Sequence, residues 1–206
     1  MSGEIVRECL TAALAAVTAA EDELGRLDSV AGDGDHGTGM VRGFQAAVAS
    51  ITDESAGQVL VNAGTAFADA SGGASGALVG IFITTLGSHL PNDVLNASYV
   101  HHALVMALAA IGKLGKSKVG DKTMIDTLDP FVNAYGERAT SATISQAWLQ
   151  ALPAAEAGMK ATADMVSKRG RSSLLKARSL GHLDPGAVSI YYVLRAVSGV
   201  LTIRCP

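Results

Sequence analysis

The chain has 206 residues, a formal net charge of −3 and a hydrophobic content of 49%, with only 4% aromatic residues. This length is sufficient for one domain with a sizeable core, and the net charge is too small to indicate a nucleic-acid partner. Because aromatic residues are few, we expect a core of Ala, Leu, Val and Ile, which suits closely packed helices.

The sequence predicts neither export nor insertion into a membrane. The first residues lack a basic region followed by an apolar one, so no signal peptide is predicted. The longest apolar run, around residues 77–86, is too short to span a bilayer. Cys9 and Cys205 could pair only if the two termini meet, so free thiols in a reducing compartment are favoured. We therefore expect a cytoplasmic protein with no membrane partner.

The first predicted element is an amphipathic helix, because apolar residues recur at three- and four-residue steps from Ile5 to Leu24. The segment that follows, from Asp28 to Gly39, holds three carboxylates, four glycines and a histidine. Carboxylates this close repel one another unless a cation lies between them, and Mg²⁺ is usually held by a few carboxylates and substrate phosphates. The segment therefore predicts a hard-metal site beneath a phosphate.

Two other kinds of loop have a similar acidic composition. A solvated acidic turn is the simple alternative, because Asp-Gly pairs are ordinary turn formers. An EF-hand loop is excluded, since Gly39 occupies the place where a loop starting at Asp28 would need its glutamate.

The next helices are predicted at about 41–51 and 56–70, and then from Ala77 onward, where the chain is apolar all round, as in a buried helix. A glycine-rich turn, residues 71–76, precedes this last helix. A turn of this kind at the start of a helix presents free N–H groups and a positive dipole end, which suits a phosphate. A tight turn between close-packed helices is the alternative.

Four helices are predicted in the remainder of the chain, at about 98–113, 123–135, 143–168 and 185–201. Pro153 is expected to kink the third of these or to mark its first turn. Asp184 and Pro185 form a good N-cap and N1 pair for the last one. The total is about eight helices, with no convincing strand and no internal repeat.

Two basic loops lie between these helices. Residues 115–117 resemble the end of a P-loop, but Ala110 occupies the place of its first glycine and no strand leads in, so a P-loop is rejected. The loop of residues 115–123 could still fold over an anion or be a solvated connection, and residues 168–184 form the second basic loop. All four glycine-rich or charged loops fall at alternate helix connections. In an up-and-down array, alternate connections lie at the same end, so the sequence predicts one composite site.

Four motifs now stand in order along nearly the whole chain: LDSVAGDGDHG at 27–37, GASGAL at 73–78, GDKTMID at 120–126, and GRSS at 170–173 followed by GHLDPG at 181–186. Together they resemble the L subunit, the nucleotide-binding domain, of dihydroxyacetone kinases. The resemblance implies that residues 1–206 form a single nucleotide-binding domain. It also implies an all-α fold, an eight-helix antiparallel up-and-down barrel with the nucleotide site at one end.

The resemblance also implies the role of each site residue. Three carboxylates would bind two Mg²⁺ ions that bridge the phosphates of ADP or ATP: Asp28, Asp33 and Asp35. Six residues would line the phosphates: His36, Gly37, Thr38, Gly39, Ala74 and Ser75. The adenine would lie near Gly115 and Met124. The site would be closed by Arg171, Asp184, Pro185 and Gly186, with Arg171 also a catalytic cation.

Two positions depart from the family pattern. Gly39 stands where bacterial stand-alone members often have Asn, which bears on the phosphate contacts. Lys176 and Ala177 replace a Gly-Glu pair, which bears on the identity of the sugar or the partner.

The function implied is that of a phosphotransferase subunit, inactive alone, which transfers a phosphoryl group to dihydroxyacetone held covalently on a histidine of a separate K subunit. Either ADP stays bound as a coenzyme and is rephosphorylated by a phosphotransferase-system protein, or ATP is an exchanging substrate. The alternatives are a kinase subunit for another short ketose such as erythrulose, a nucleotide-binding module acting on a transcription factor, and a Ca²⁺-binding structural protein. The oligomeric state is not predicted, and a homodimer is one alternative.

Overall fold

The structure is a computed structural model that describes residues 3–52, 54–91, 95–170, 173 and 176–205, with the backbone alone for residues 176 and 177. These residues form helices and connections without a strand, as predicted for an all-α protein. The helices are α1 (Gly3–Ala19), α2 (Glu21–Ser29), α3 (His36–Ala49), α4 (Ala56–Ser71), α5 (Gly73–Ser88), α6 (Ala97–Gly115), α7 (Ile125–Gly136), α8 (Ile144–Ala161), α9 (Lys176–Ser179) and α10 (Pro185–Arg204), with a 3₁₀ turn (Thr162–Asp164) after α8.

The eight helices of twelve or more residues form a closed ring. From α3 to α8 each helix packs on the next one in the chain, α8 packs on α10, and α10 and α3 both pack on α1. The short helix α2 lies against α3 and α10. The fold is therefore the predicted eight-helix antiparallel up-and-down barrel.

The first predicted helix is not continuous, because it divides at Ala20 into α1 and α2. The first turn of α2 is Glu21, Asp22 and Glu23, and acidic side chains there favour a new helix start by facing its positive end. The start of α3 lies against this division, since a Cβ on Gly37 would overlap the main chain of Glu21. No glycine or proline marks the break, so periodicity alone extends the helix through it.

The helix predicted at 143–168 also differs from the observed one. It ends at Ala161 and is followed by the 3₁₀ turn, and α9 was not predicted. Pro153 is the tenth residue of α8, so it does not mark the first turn. The predicted start of α10 is confirmed: Asp184 is the N-cap, its Oδ1 accepts a hydrogen bond of 2.8 Å from the Ala187 N–H, and Pro185 follows.

The interior of the ring is filled mainly by Ala, Leu, Val and Ile, as expected, and the few aromatic residues are concentrated there. Phe131, Tyr135 and Trp148 pack together at the centre of this core. An apolar cavity of about 130 Å³ remains elsewhere in the core, and Trp148 is among the residues that line it. Two described helices, α6 and α10, are long and apolar enough to cross a membrane, but both are walls of the ring, and a buried core helix has the same composition.

The chain termini meet, because α1 packs on α10. Cys9 and Cys205 both lie against the core and are free thiols. Burial raises the pKa of the Cys9 thiol to about 12, and Cys205 adds to this shift. Since the thiolate is the reactive form, Cys9 is expected to be an inert packing residue.

Close contact between α4 and α5 positions the glycine turn that joins them. A Cβ on Gly80 would lie 2.6 Å from the Cβ of Ala68 and 2.7 Å from the carbonyl oxygen of Gly64. We expect Gly80→Ala to destabilise the protein by about 1–3 kcal/mol, because a methyl group would have to be forced between two helices. Urea denaturation measures this.

Gly199→Ala is the matched control, because no heavy atom lies within 4 Å of the position its Cβ would occupy on α10. That substitution should stabilise the protein by roughly 0.5–1 kcal/mol through helix propensity. A Gly80→Ala variant as stable as the Gly199→Ala variant would contradict the packing argument.

Candidate functional site

The four loops singled out in the sequence gather at one end of the ring, around a cleft of about 370 Å³. The cleft lies among the ends of α2, α4 and α6 and the starts of α3, α5, α7 and α10. Eleven predicted site residues line it: Asp28, Asp35, His36, Gly39, Ala74, Ser75, Gly115, Met124, Asp184, Pro185 and Gly186. Asp33, Gly37 and Thr38 belong to the same loop and helix start without lining the cleft. Arg171 lies outside the described residues.

Asp28, Asp33 and Asp35 form a carboxylate cluster in which one oxygen of each lies within 4.8 Å of the others. Asp28 is near the end of α2, and its Oδ2 accepts a hydrogen bond of 2.8 Å from the Gly34 N–H. Glycine is needed at Gly34, where φ is +82°. Three hard oxygen donors at this spacing suit Mg²⁺, which prefers carboxylates and phosphates.

The helix starts at the cleft differ from those at the opposite end. At the opposite end, α4, α6 and α8 are capped by the side chains of Ser55, Asn96 and Thr143. At the cleft, α3 and α5 have no side-chain cap, whereas the first N–H of α7 donates to the Thr123 Oγ1 at 3.2 Å and α10 is capped by Asp184. The first N–H groups of a helix need partners from outside it. Uncapped helix starts in one cleft therefore supply N–H donors and positive dipole ends, which favour an anion.

The start of α5 is shaped by the glycine turn. Gly72 and Gly73 have φ of +74° and +66°, which places Ala74 and Ser75 in the first turn of the helix. The turn lies close to α3, because a Cβ on Gly39 would lie 3.3 Å from the Ser71 carbonyl oxygen. An asparagine at position 39 would therefore press on the turn, which is the structural consequence of that departure from the family pattern. The side chains of the other departure, Lys176 and Ala177, lie outside the described residues.

His36 is held by the start of α10. Its Nε2 lies 3.0 Å from the Ser189 Oγ, which itself donates to the Gly186 carbonyl oxygen at 3.1 Å. Burial lowers the pKa of His36, although Asp28 and a hydrogen bond with the Pro185 backbone oppose this. The imidazole is therefore neutral at pH 7 and links α3 to α10. A contact of His36 with phosphate would then come from its backbone N–H.

One wall of the cleft is apolar and was not predicted as part of the site. Leu78 of α5, Ile111 of α6 and Ile125 of α7 line it together with Met124. A Cβ on Gly115 would lie 3.4 Å from Leu78, so the glycine keeps this slot open. A flat apolar ring fits such a slot. Periodicity could not identify these residues, because apolar positions on a helix have the same spacing whether they face the core or a ligand.

The two basic loops are joined by an anion from the protein itself. Asp121 is buried, and its Oδ2 accepts a hydrogen bond of 2.9 Å from Arg169 Nε. The Lys168 ammonium lies 3.7 Å from the other oxygen and donates to the Gly120 carbonyl oxygen at 2.7 Å. Burial opposes ionisation, but these cations and the Lys118 N–H hold the pKa of Asp121 below its usual value. Part of the basic charge is therefore used within the fold, which the sequence did not reveal.

Asp184 combines an N-cap with an unusual ionisation. Its backbone N–H donates to the Thr162 Oγ1 at 3.0 Å, and its carboxylate accepts from the first turn of α10. Burial raises the pKa of this carboxyl to about 7, and Asp126 adds to the shift, while Lys122 and the backbone N–H groups act in the opposite direction.

We expect Asp184→Asn to change the pH dependence of stability. The folded-state pKa lies above the usual 3.8, so the folded protein gains stability as pH falls from above 7 toward 4. Asparagine still caps the helix but does not titrate. The melting temperature of the variant relative to wild type should therefore be higher at pH 8 than at pH 5, measured by thermal unfolding without nucleotide. A difference that is the same at both pH values would contradict the raised pKa.

Comparison with known proteins gives one consistent family. A family model described as the DAK2 domain matches residues 30–199. The D-erythrulose kinase of Mycolicibacterium smegmatis is 42% identical over 97% of this chain, which spans only 36% of that kinase. The PEP-dependent dihydroxyacetone kinase 1, ADP-binding subunit DhaL, of Listeria innocua is 33% identical, and the match covers 84% of each chain.

Two solved structures are similar to this chain. The native dihydroxyacetone kinase of C. freundii has a TM-score of 0.74 at 26% identity, over 95% of this chain and 34% of that one. The structure of the same enzyme in complex with AMP-PNP and Mg²⁺ has a TM-score of 0.70 at 24% identity. Because the family model spans most of the sequence and the Listeria innocua subunit matches over most of both chains, this chain belongs to the DAK2 domain family.

Proposed function

We propose that this chain is the nucleotide-binding subunit of a kinase for a short ketose, with residues 1–206 forming one DhaL-type domain. It would transfer a phosphoryl group from an Mg²⁺-bound nucleotide to dihydroxyacetone held covalently on a separate K unit. The observation that carries the proposal is the composition of the cleft, where a three-carboxylate cluster, uncapped helix starts and an apolar slot meet. These features match the metal, the phosphates and the base of one ligand.

The metal would be held by Asp28, Asp33 and Asp35. Two Mg²⁺ ions, as the family resemblance implies, would bridge phosphate oxygens and neutralise their charge during transfer. The C. freundii enzyme described in complex with AMP-PNP and Mg²⁺ supports this pairing of nucleotide and metal.

The nucleotide would lie across the cleft from the carboxylates to the apolar slot. Its phosphates would accept hydrogen bonds from the starts of α3 and α5, where the proposed residues are His36, Gly37, Thr38, Gly39, Ala74 and Ser75. Its base would lie against Gly115 and Met124, and Asp184, Pro185 and Gly186 would close the site. Arg171 remains the proposed catalytic cation.

Catalysis would depend on position and charge rather than on a covalent step in this chain, because phosphoryl transfer needs little else. His36 is neutral but is engaged by Ser189 and the Pro185 backbone, so it is not suited to take a proton from a sugar hydroxyl. The sugar and its base would then come from the K unit.

The two basic loops beside the cleft would form the docking surface for the K unit. Four of the nine exposed large apolar side chains in the described chain are in or beside the two basic loops: Leu114, Val119, Val166 and Leu180. Apolar residues among lysines and arginines are typical of an interface with a partially acidic partner. We infer that this rim contacts the K unit.

A kinase for erythrulose is a second candidate, because the D-erythrulose kinase is more similar, at 42% identity, than the Listeria innocua subunit, at 33%. The proposed cleft binds the nucleotide rather than the ketose, so its geometry suits either sugar. The phosphoryl donor is ATP as an exchanging substrate, or a phosphotransferase-system protein that recharges bound ADP. With either donor, the protein would act in the cytoplasm, where ATP and the phosphotransferase-system proteins occur.

We expect Asp33→Asn and Asp35→Asn each to weaken binding of Mg²⁺-ADP by about tenfold or more, because each removes a charge that faces the metal. Isothermal titration calorimetry measures the affinity. Asp69→Asn, an exposed position near the end of α4, is the control and should bind like wild type. Unchanged affinity in both cluster variants would remove the metal site.

We expect the purified chain alone to phosphorylate neither dihydroxyacetone nor erythrulose, and a purified K unit to restore turnover. Leu180→Asp should raise the concentration of K unit that gives half-maximal turnover by about tenfold, because a charge would replace a docking side chain. Ile203→Asp is the control, since Ile203 is 79% exposed at the opposite end of α10. Turnover by the chain alone would refute the need for a partner, and equal behaviour of the two variants would refute the rim.

A further inference from the structure

Lys122 combines features that are unfavourable for a lysine. The residue is 4% exposed, and its φ is +62°. Lysine is almost never fully buried unless it is paired, and a side-chain-bearing residue in the left-handed region is strained. The reason for a lysine at this position must therefore lie in the contacts of its ammonium.

The ammonium of Lys122 joins two points in the connection from α8 to α10. It donates hydrogen bonds of 2.5 Å each to the carbonyl oxygens of Thr162 and His182. Thr162 is the C-cap of α8, so the cation faces the negative end of that helix. His182 lies two residues before the N-cap of α10. Burial lowers the pKa of the Lys122 ammonium, and the charges of Asp184, Asp126 and Asp164 act in the opposite direction.

The main chain of Lys122 leads directly into the apolar wall of the cleft. Lys122 itself lines the cleft, as do Thr123 and Met124, which follow it. The first turn of α10 lies against this segment, because a Cβ on Gly186 would be 3.7 Å from the Cβ and the nitrogen of Met124. Lys122 is therefore a side chain that connects two cleft walls about 60 residues apart in sequence.

We propose that Lys122 is a positioning residue that holds the Met124 segment against the start of α10 and so shapes the side of the cleft that receives the base. This inference rests on the proposed nucleotide function. The hydrogen bonds of its ammonium go to protein carbonyl groups, so its action on the nucleotide is indirect.

The metal–phosphate side of the cleft is built from other elements. The carboxylate cluster belongs to α2 and the loop before α3, and the uncapped helix starts on that side are those of α3 and α5. The Lys122 ammonium bonds to neither. Loss of Lys122 should therefore weaken binding of the nucleoside part of a ligand and spare binding of its metal–phosphate part.

The test compares two ligands on Lys122→Met by calorimetry. Mg²⁺-ADP should bind about tenfold more weakly, the scale expected for losing a charged hydrogen-bonding group, while the affinity for Mg²⁺-pyrophosphate should stay within about twofold of wild type. Lys122→Arg keeps the positive charge and should recover part of the ADP affinity, and it is the deciding variant if Lys122→Met does not fold.

Thr127→Val is the matched control. Thr127 is buried, and its hydroxyl donates to the Ala187 carbonyl oxygen at 3.0 Å, in the same first turn of α10. Valine removes that hydrogen bond at similar volume, so the melting temperature should fall while the affinity for Mg²⁺-ADP stays close to wild type. Equal loss of ADP affinity in Thr127→Val and Lys122→Met would show a merely structural role and overturn the inference.

Two further results would overturn it. Unchanged ADP affinity in Lys122→Met would show that the link does not shape the site, and an equal loss for both ligands would show direct contact with phosphate.

If the wild-type chain does not bind Mg²⁺-ADP, the proposed function is wrong, and hydrogen exchange without nucleotide decides the inference. Lys122→Met should then speed exchange at residues 120–124 and 181–187 and leave α3 and α5 unchanged; equal exchange in these segments would refute the link.

Discussion

The closure of eight antiparallel helices into a ring is the constraint on which the site depends. Each long helix packs on its neighbour in sequence, so the helices alternate in direction and every second connection comes to the same end. The starts of α3, α5, α7 and α10 therefore meet at one cleft. The ring turns loops that are far apart in sequence into neighbours, and it points several positive helix ends at the same space.

The capping of the helix starts differs between the two ends of the ring. Where no ligand is expected, Ser55, Asn96 and Thr143 satisfy the first N–H groups of their helices. At the cleft, the starts of α3 and α5 lack such caps, although α10 is capped by Asp184. Replacing a good N-cap by a residue that cannot cap costs about 0.5–2 kcal/mol, so the uncapped starts of α3 and α5 lack stability that the proposed bound phosphate would supply.

The sequence was most informative in the segments whose unusual composition indicated a binding site. Two segments interrupt the helical periodicity: the carboxylates and glycines between Asp28 and Gly39, and the glycine turn before α5. Because both lie at alternate helix connections, the sequence predicted that they meet at the same end of the fold. The break at Ala20 was missed because acidic residues rather than glycine or proline mark it. The end of α8 at Ala161 was missed because the 3₁₀ turn that follows it continues the chain without a break in the periodicity.

The contacts of Asp121 and Lys122 could not be foreseen, because their partners lie 40 to 60 residues away and include backbone carbonyl groups, which sequence patterns do not distinguish.

The charges in the cleft explain why metal and nucleotide would have to bind together. Three carboxylates within hydrogen-bonding distance of a phosphate would repel it, since like charges a few ångströms apart interact by several kcal/mol in a partly buried site. The helix starts attract phosphate but, as partial charges, cannot cancel three carboxylates. A divalent cation between the two sets of anions reverses the sign of both interactions. The proposed site would thus be selective for an anion that arrives with its cation, and the basic loops, which Asp121 and Lys122 join, would enclose the other side of that ligand.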